Sequence, residues 1–255
     1  MLARTFMRLC ALEALRPSSL LATNGPWPTI AEQYVSDSRI DPIDDLAGDE
    51  AKRPLIGVYT EATSLTKIAQ AGPLFHKGEV DLVFEISVVS KFAVDGGQPI
   101  IDFCETDGET EAALDALEDE IYQVLHFAPS GALFQNMAKG IAESWESNAH
   151  RSGEEEIRLA RRTIRARYRM KESYLDPAPT TAPVDLARLP AALQPIASAL
   201  NGSTYLTALV LGAARAAYVM PTRVNLNTVG IGMKPQPVTN NPASVQGVAG
   251  NLQGT

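Results

Sequence analysis

The stretch that decides the fold is Glu79 to Lys91, EVDLVFEISVVSK. Val80, Leu82, Phe84, Ile86 and Val88 fall on one parity. Glu79, Asp81, Glu85, Ser87 and Lys91 fall on the other, with Val83 and Val89 the only apolar intruders. Period-two alternation is the pattern of a β-strand with one face on a core and one face in water. At about 3.3 Å per residue the strand runs to roughly 40 Å, longer than most strands in globular domains. Such a strand must twist or bend, and it is expected to project past the body of a small domain, as suits a subunit that reaches a neighbour.

Upstream, Arg53–Glu61 (RPLIGVYTE) is apolar on both parities and reads as a strand inside the sheet. Glu61–His76 reads as a connector punctuated by Gly72-Pro73. Downstream, Ala93–Gly97 (AVDGG) turns the chain, and Pro99–Cys104 (PIIDFC) either continues the pairing or approaches a helix. Asp107-Gly108 then opens an amphipathic helix. Leu114, Leu117, Ile121, Val124 and Leu125 recur at helical spacing, Asp115, Glu118, Asp119 and Gln123 fill the outer face, and Asp107 or Thr110 is the N-cap candidate. Its apolar stripe is expected to lie across the sheet. Pro129-Ser130-Gly131 ends it, and a second helix is expected over Ala132–Asn148 on Phe134, Met137, Ala138, Ile141 and Trp145.

Glu156–Lys171 (EIRLARRTIRARYRMK) fits helical spacing through Ile157, Ala160, Ile164 and Tyr168, or a strand from Arg162 onward. The strand is preferred, because β-branched and aromatic residues alternate with cations there. It puts Ile164, Ala166, Tyr168 and Met170 on one face and Thr163, Arg165, Arg167, Arg169 and Lys171 on the other. The result is one basic stripe on an acidic chain, read either as a binding face or as a solvated edge strand guarded by its charges.

The N-terminal MLARTFMRLCALEALRP imitates a targeting segment through Arg4 and Arg8, but Glu13 and Arg16 break the apolar run and no small-residue cleavage site follows. Arg8-Leu9 also argue against a lipoprotein site at Cys10. The expectation is an amphipathic helix with Phe6, Leu9, Cys10 and Leu12 sharing a side, ended by Pro17, in a soluble protein that is not exported. The turn-rich Pro17–Pro28 reads as a loop. Beyond the linker Asp176–Asp185, helical stretches are expected at Leu189–Leu200 and Ser203–Tyr218. The second is apolar on most sides and is expected to be buried on nearly all of them, within the chain or against another subunit. Its run Tyr205–Ala214 is too short to span a bilayer. Arg223–Val229 can form a short strand, and Lys234–Thr255 has no periodicity and is expected to be unstructured alone.

Composition allows an ordinary globular protein: 255 residues, 45% apolar and 20% charged. The net charge of −8 argues against a general nucleic-acid binder. Two cysteines, Cys10 and Cys104, are expected to be reduced thiols, with a bridge between them or between subunits left open. Asp37, Asp41, Asp44, Asp45, Asp49 and Glu50 miss the glycine and glutamate positions of a calcium loop and read as a solvated acidic loop. His76, His126 and His150 stand apart from ligand spacings. VGIGM near Gly230 lacks a third glycine, and Ser64-x-x-Lys67 lacks the companion motifs of the serine hydrolases that use it. Asn201-Gly-Ser203 is a glycosylation sequon in form only. No catalytic, cofactor-binding or metal-ligating constellation emerges, and the expectation is a protein that is not an enzyme. The alternative is a small cytosolic enzyme with a site around Asp102, Cys104 and His126.

The order of these pieces resembles the tail terminator (tail completion) proteins of tailed bacteriophages and related phage-like particles. The resemblance rests on a short N-terminal helix with R-x-x-x-L-type spacing, a turn at Ser38–Pro42, RPLIGVYTE, VDLVFEISV, the acidic amphipathic helix and RLARRTIRARYRM, over about Arg4 to Lys171. It implies an α+β subunit with a mixed, largely antiparallel sheet, a long curved strand and flanking helices. Residues 1–172 are then the core, 173–233 a proline-linked extension of helices and a strand, and 234–255 an extended arm. It further implies a virion structural protein, without cofactor or membrane contact, assembled in the host cytoplasm as a hexameric ring in the neck of the particle. The ring caps the tail tube, ends its polymerisation and joins it to the head connector. Its partners are the tail tube protein, connector or neck proteins and the sheath where there is one, while genomic DNA passes through without specific binding. On this reading Arg165, Arg167, Arg169 and Lys171 meet a neighbouring subunit or the tube. Another neck or head–tail adaptor protein uses the same ring logic.

Overall fold

The alternating stretch is a strand, β3 (His76–Lys91), and it lies at the centre of a five-stranded sheet. The structure is a computed structural model describing residues 2–38, 54–67, 76–91, 93–95, 98–100, 106–153, 157–171, 186–201 and 207–216. These residues belong to one unit, Met1–Tyr218. The sheet order is β1 (Val35–Asp37), β2 (Leu55–Lys67), β3, β7 (Ile157–Met170) and β6 (Ser144–Gly153). β1 runs parallel to β2, and every other neighbour is antiparallel. β4 (Ala93–Asp95) and β5 (Gln98–Ile100) form a separate two-stranded sheet, so pairing does continue past Pro99. The protein is α+β, with a mixed and largely antiparallel sheet.

The apolar parity of β3 is the core. Val80, Leu82, Phe84, Ile86 and Val88 are buried, as are Ile164, Ala166, Tyr168 and Met170 on β7, which share that face by register. Helix α2 (Asp107–His126) lies over this face with Leu114, Leu117, Ile121, Val124 and Leu125 buried, the same five residues that its spacing singles out. Its cap is Thr106, one residue before Asp107 and four before Thr110. Glu109 N–H donates to Thr106 Oγ1 at 3.2 Å and Thr106 N–H donates to Glu109 Oε2 at 3.1 Å, a reciprocal capping box.

Four expectations change. β2 continues through Lys67, where a connector was expected, because Thr63–Lys67 pairs with Val80–His76 past a register shift after Thr60. Ser64 and Lys67 therefore lie on a strand, not on a helical turn, and Ser64 Oγ bonds Glu79 at 3.4 Å. The helix expected over Ala132–Asn148 stops early: α3 is Ala132–Met137. Ala138 is extended and bridges Met170, and Gly140 takes a φ of +92°, which a side chain resists. From Ser144 the chain is strand β6, so Trp145 is a strand residue and Ile141 is exposed. Helix α1 (Leu2–Leu15) exists, but it is buried on most sides: Ala3, Met7, Ala11, Ala14 and Leu15 join Phe6, Leu9, Cys10 and Leu12. Its covers include α3, α4 (Gln194–Asn201) and α5 (Thr207–Ala216). Finally, α5 is covered on one side only among the described residues, with Val210 and Ala214 buried and Ala208, Leu209 and Gly212 exposed.

Asp37 is also not a free loop carboxylate. It ends β1, and Arg8 Nε reaches its Oδ1 at 2.7 Å. Arg16 donates to the Val35 carbonyl at 2.8 Å, so the polar flank of α1 ties down the edge strand. The rest of the acidic loop, Cys104, the 172–185 linker, the sequon beyond Asn201, Arg223–Val229 and Lys234–Thr255 lie outside the described residues.

Emptying the core at Phe84, which is fully buried, should cost about 3–5 kcal/mol in Phe84→Ala. Phe127→Ala, at a 63% exposed site, should stay within about 0.5 kcal/mol. Urea unfolding of both variants checks the contrast.

Candidate functional site

Odd-numbered residues of β3 and β7 share the sheet face opposite α2. On β7 these include Arg161, Arg165, Arg167 and Arg169, and Lys171 follows the strand. The alternation that puts Ile164, Ala166, Tyr168 and Met170 inside puts the arginines outside together, as their spacing predicts. β7 is not an edge strand, however, since it lies between β3 and β6. Nor is the stripe a run of uncompensated cations. Arg167 grips Asp81, its direct cross-strand neighbour, through Nε at 2.7 Å and Nη2 at 3.0 Å. Arg161 reaches Glu85 at 2.9 Å and Arg169 reaches Glu143 at 3.2 Å. Arg165 pairs with Glu61 of β2, two strands away, so its aliphatic stem crosses β3 over Val83, the apolar residue directly opposite it. Val83, flanked by Arg165 on one side and Tyr59 on the other, is fully buried on the face expected to be wet.

Asp81 and Ser87, both expected in water, are only 5% and 4% exposed. The hydrogen bonds from Arg167 hold the Asp81 carboxyl below the usual carboxylate range, against the upward push of its own burial. Glu79 is lowered as well, chiefly by Lys77 beside it. This face is thus a ladder of matched opposite charges on a covered backbone.

On the other face, Arg162 shares the inward parity and meets α2. Its guanidinium donates to Asp115 at 2.7 Å, Glu118 at 2.9 Å and Glu111 at 3.1 Å, and its side chain is 12% exposed. Glu118 also accepts from Trp145 Nε1 at 2.8 Å and Ser147 Oγ at 2.9 Å, which fastens β6 to the helix. An open cleft of about 260 Å³ lies here, lined by Asp115, Glu118, Asp119, Tyr122, Trp145 and Arg162. Asp115 is exposed, as its place on the outer face of the helix predicts, whereas Glu118 is only 20% exposed. The signal that could have shown this is the spacing of Glu111, Asp115 and Glu118 along one helix flank, set against a cation at an apolar parity of β7.

His126 closes α2 beside this cleft. Its Nδ1 lies 2.8 Å from the Tyr122 carbonyl and its Nε2 lies 3.1 Å from Tyr168 Oη. A carbonyl only accepts, so Nδ1 carries the proton and Nε2 accepts from the tyrosine hydroxyl. Burial pushes the His126 pKa down and the Tyr168 pKa up. Of the alternative enzyme site only His126 falls among the described residues, and there it is half-buried and packs against Tyr122, Trp145 and Tyr168. Burial, reinforced by Glu13, pushes the Cys10 thiol up as well. Glu120 is raised by burial while it accepts the Ile30 N–H at 2.8 Å, a perturbed carboxyl that the sequence reading did not foresee. Among the described residues, no group of His, Cys, Asp or Glu could hold a metal ion, and no helix is long and apolar enough to cross a membrane.

No protein-family model matches the chain, and no curated protein is significantly similar to it.

Arg167→Ala removes the largest of the interactions that lower Asp81 and leaves only the weaker pull of Arg165. The carboxyl resonance of Asp81, followed by NMR, should then titrate at higher pH than in the parent. A second test uses His126, whose folded pKa lies below its unfolded value of about 6.5. The unfolded chain binds the extra proton, so stability falls as pH drops below about 6.5 and stops falling below the folded pKa. In His126→Gln this part of the slope should vanish, as read by denaturant unfolding between about pH 7 and pH 5.

Proposed function

We propose that this chain is a structural subunit of a phage-like tail, a terminator that assembles as a hexameric ring, caps the tail tube, stops its growth and presents the surface that meets the head connector. The observation that carries this reading is the long exposed edge of β2 past the three residues that β1 covers. The two strands stay paired out to Lys67 and His76, while Glu61, Ala62, Ser64, Leu65 and Thr66 are exposed. Leu65 has the parity of the core residues Val80 and Leu82, through its partner Gly78, yet it is 39% exposed. A long open strand edge of this kind suits a subunit completed by neighbours.

Two further features support the same reading. The α+β architecture agrees with what the resemblance over Arg4–Lys171 implies, down to the long paired strands and the acidic helix across their inner face. The ladder of Arg161, Arg165, Arg167 and Arg169, each with its own carboxylate, suits a surface that meets a structured protein neighbour. A charge-matched face attracts a polyanion weakly, as a passage for sliding DNA requires. Lys171 and the outward arginines are the residues assigned to that contact.

The test is genetic and visual together. In a particle that encodes this chain, its deletion should give tails of uncontrolled length, and micrographs of the purified protein should show rings. Tails of normal length that fail to join heads would instead identify an adaptor at another level of the neck. A stable monomer with catalytic turnover would overturn both structural readings.

A further inference from the structure

The five-stranded sheet has two edges with unpaired backbone among the described residues. One is β6, whose outer side has no strand partner along Ser144–Gly153. The other is β2 beyond Val58, because β1 covers only Ile56, Gly57 and Val58. Both edges are exposed: Glu146, Ser147, Asn148, Ala149 and His150 on β6, and Glu61, Ala62, Ser64, Leu65 and Thr66 on β2. Open strand edges are templates for pairing, and folded proteins guard them with proline, lysine, bulges or very short strands. β6 is 10 residues long, pairs with β7 without a register shift, and carries neither proline nor lysine. Within the exposed runs Ser147, Asn148 and Ala149 on β6 and Ala62, Ser64 and Thr66 on β2 are small and uncharged, with Leu65 a large apolar side chain among them.

The strand directions make the two edges fit each other. β2 runs against β3, β3 against β7 and β7 against β6, so β2 and β6 point in opposite directions. Placed side by side from two copies, they meet as an antiparallel pair, the more stable ladder geometry. The helical layer then stays on the same side of the joined sheet. Pairing of β6 with its own symmetry mate would leave every β2 edge open, whereas the β6–β2 contact satisfies both edges of every copy.

We propose that β6 of one copy adds to β2 beyond Val58 of the next, so that copies join head to tail by extending one another's sheet. Such a heterologous contact closes into a ring or continues as a filament. The proposal rests on the sheet edges alone and goes beyond the tail reading, which does not say how copies meet.

Light scattering on the full chain should give a multiple of the 27.4 kDa monomer. Hydrogen exchange should show Ser144–His150 and Thr60–Thr66 slowed together in the assembly, relative to the diluted monomer. Adjacent positions on an edge strand turn their N–H groups alternately inward and outward. One of Ser147→Pro and Asn148→Pro, and one of Ser64→Pro and Leu65→Pro, therefore removes an outward donor and keeps the internal ladder. Circular dichroism identifies the folded member of each pair. Each folded variant should be monomeric alone, and the β6-blocked and β2-blocked variants mixed should give a dimer that grows no further. The pairing is overturned if the assembly forms with both edges exchanging as in the monomer, if the edges are already protected in the monomer, or if the mixture stays monomeric. Rings that persist with unprotected edges sink the pairing and leave the tail reading standing. Tails of normal length in the deletion, with the edges protected, sink the tail reading and leave the pairing.

Discussion

The fold depends on one register. β3 and β7 pair without interruption from Gly78 opposite Met170 to Lys91 opposite Ile157. Because side chains alternate with a period of two, this register decides both faces at once. It sets Val80, Leu82, Phe84 and Ile86 beside Tyr168, Ala166, Ile164 and the Arg162 stem under α2, and it sets Asp81 against Arg167 on the other side. A slip of one residue would carry Arg165, Arg167 and Arg169 into the core and expel Phe84's neighbours, so alternatives of that kind are penalised heavily. The ion pair between Arg167 and Asp81 adds a polar check to the same register, since only the observed alignment puts them opposite.

The second dependence is that of α1 on the far end of the described chain. A helix buried on most sides needs covers from several directions. The sheet supplies one, α2 and α3 supply others, and Leu189, Leu193, Ala197, Leu200, Val210 and Ala214 belong to the same apolar core. Fully burying a large aliphatic side chain is worth about 1.5–3 kcal/mol. Phe6, Met7, Leu9, Leu12 and Leu15 therefore represent a substantial part of the core's stability, and part of it is realised only when residues nearly two hundred positions away arrive. Contacts of this separation close late and slowly in folding.

What could be read from the sequence was what depends on local period. The parity of Val80–Val88 and of Ile164–Met170, and the helical stripe from Leu114 to Leu125, were each legible because one element's own pattern states which side is buried. The stretch Ala132–Asn148 was misread because Phe134, Met137, Ala138, Ile141 and Trp145 fall at helical intervals by coincidence. Its last part is an edge strand of small polar residues, SWESNAHRSG, whose structure comes from β7 rather than from its own alternation. The extension of β2 to Lys67 was hidden for the same reason, as Thr63–Lys67 pairs through β3. The state of the arginines was out of reach altogether. Arg165 and Arg167 find their carboxylates 104 and 86 residues away, and a sequence shows a charge without showing its distance to another.

That pairing changes what the outward face can be. The side chains of Arg165 and Arg167 are about half exposed, so solvent screens their ion pairs and weakens what these pairs add to folding. An uncompensated row of arginines would hold any polyanion near it, and its affinity would rise steeply as salt fell. A matched row presents positive and negative groups in alternation, so it discriminates among partners by the position of charge rather than by its sign, and a partner with the wrong pattern meets like charges that cannot move away. Such a surface is selective without being sticky. Asp81 is the exception within it: nearly buried and gripped in two places by Arg167, it fixes the position of that one guanidinium on the face.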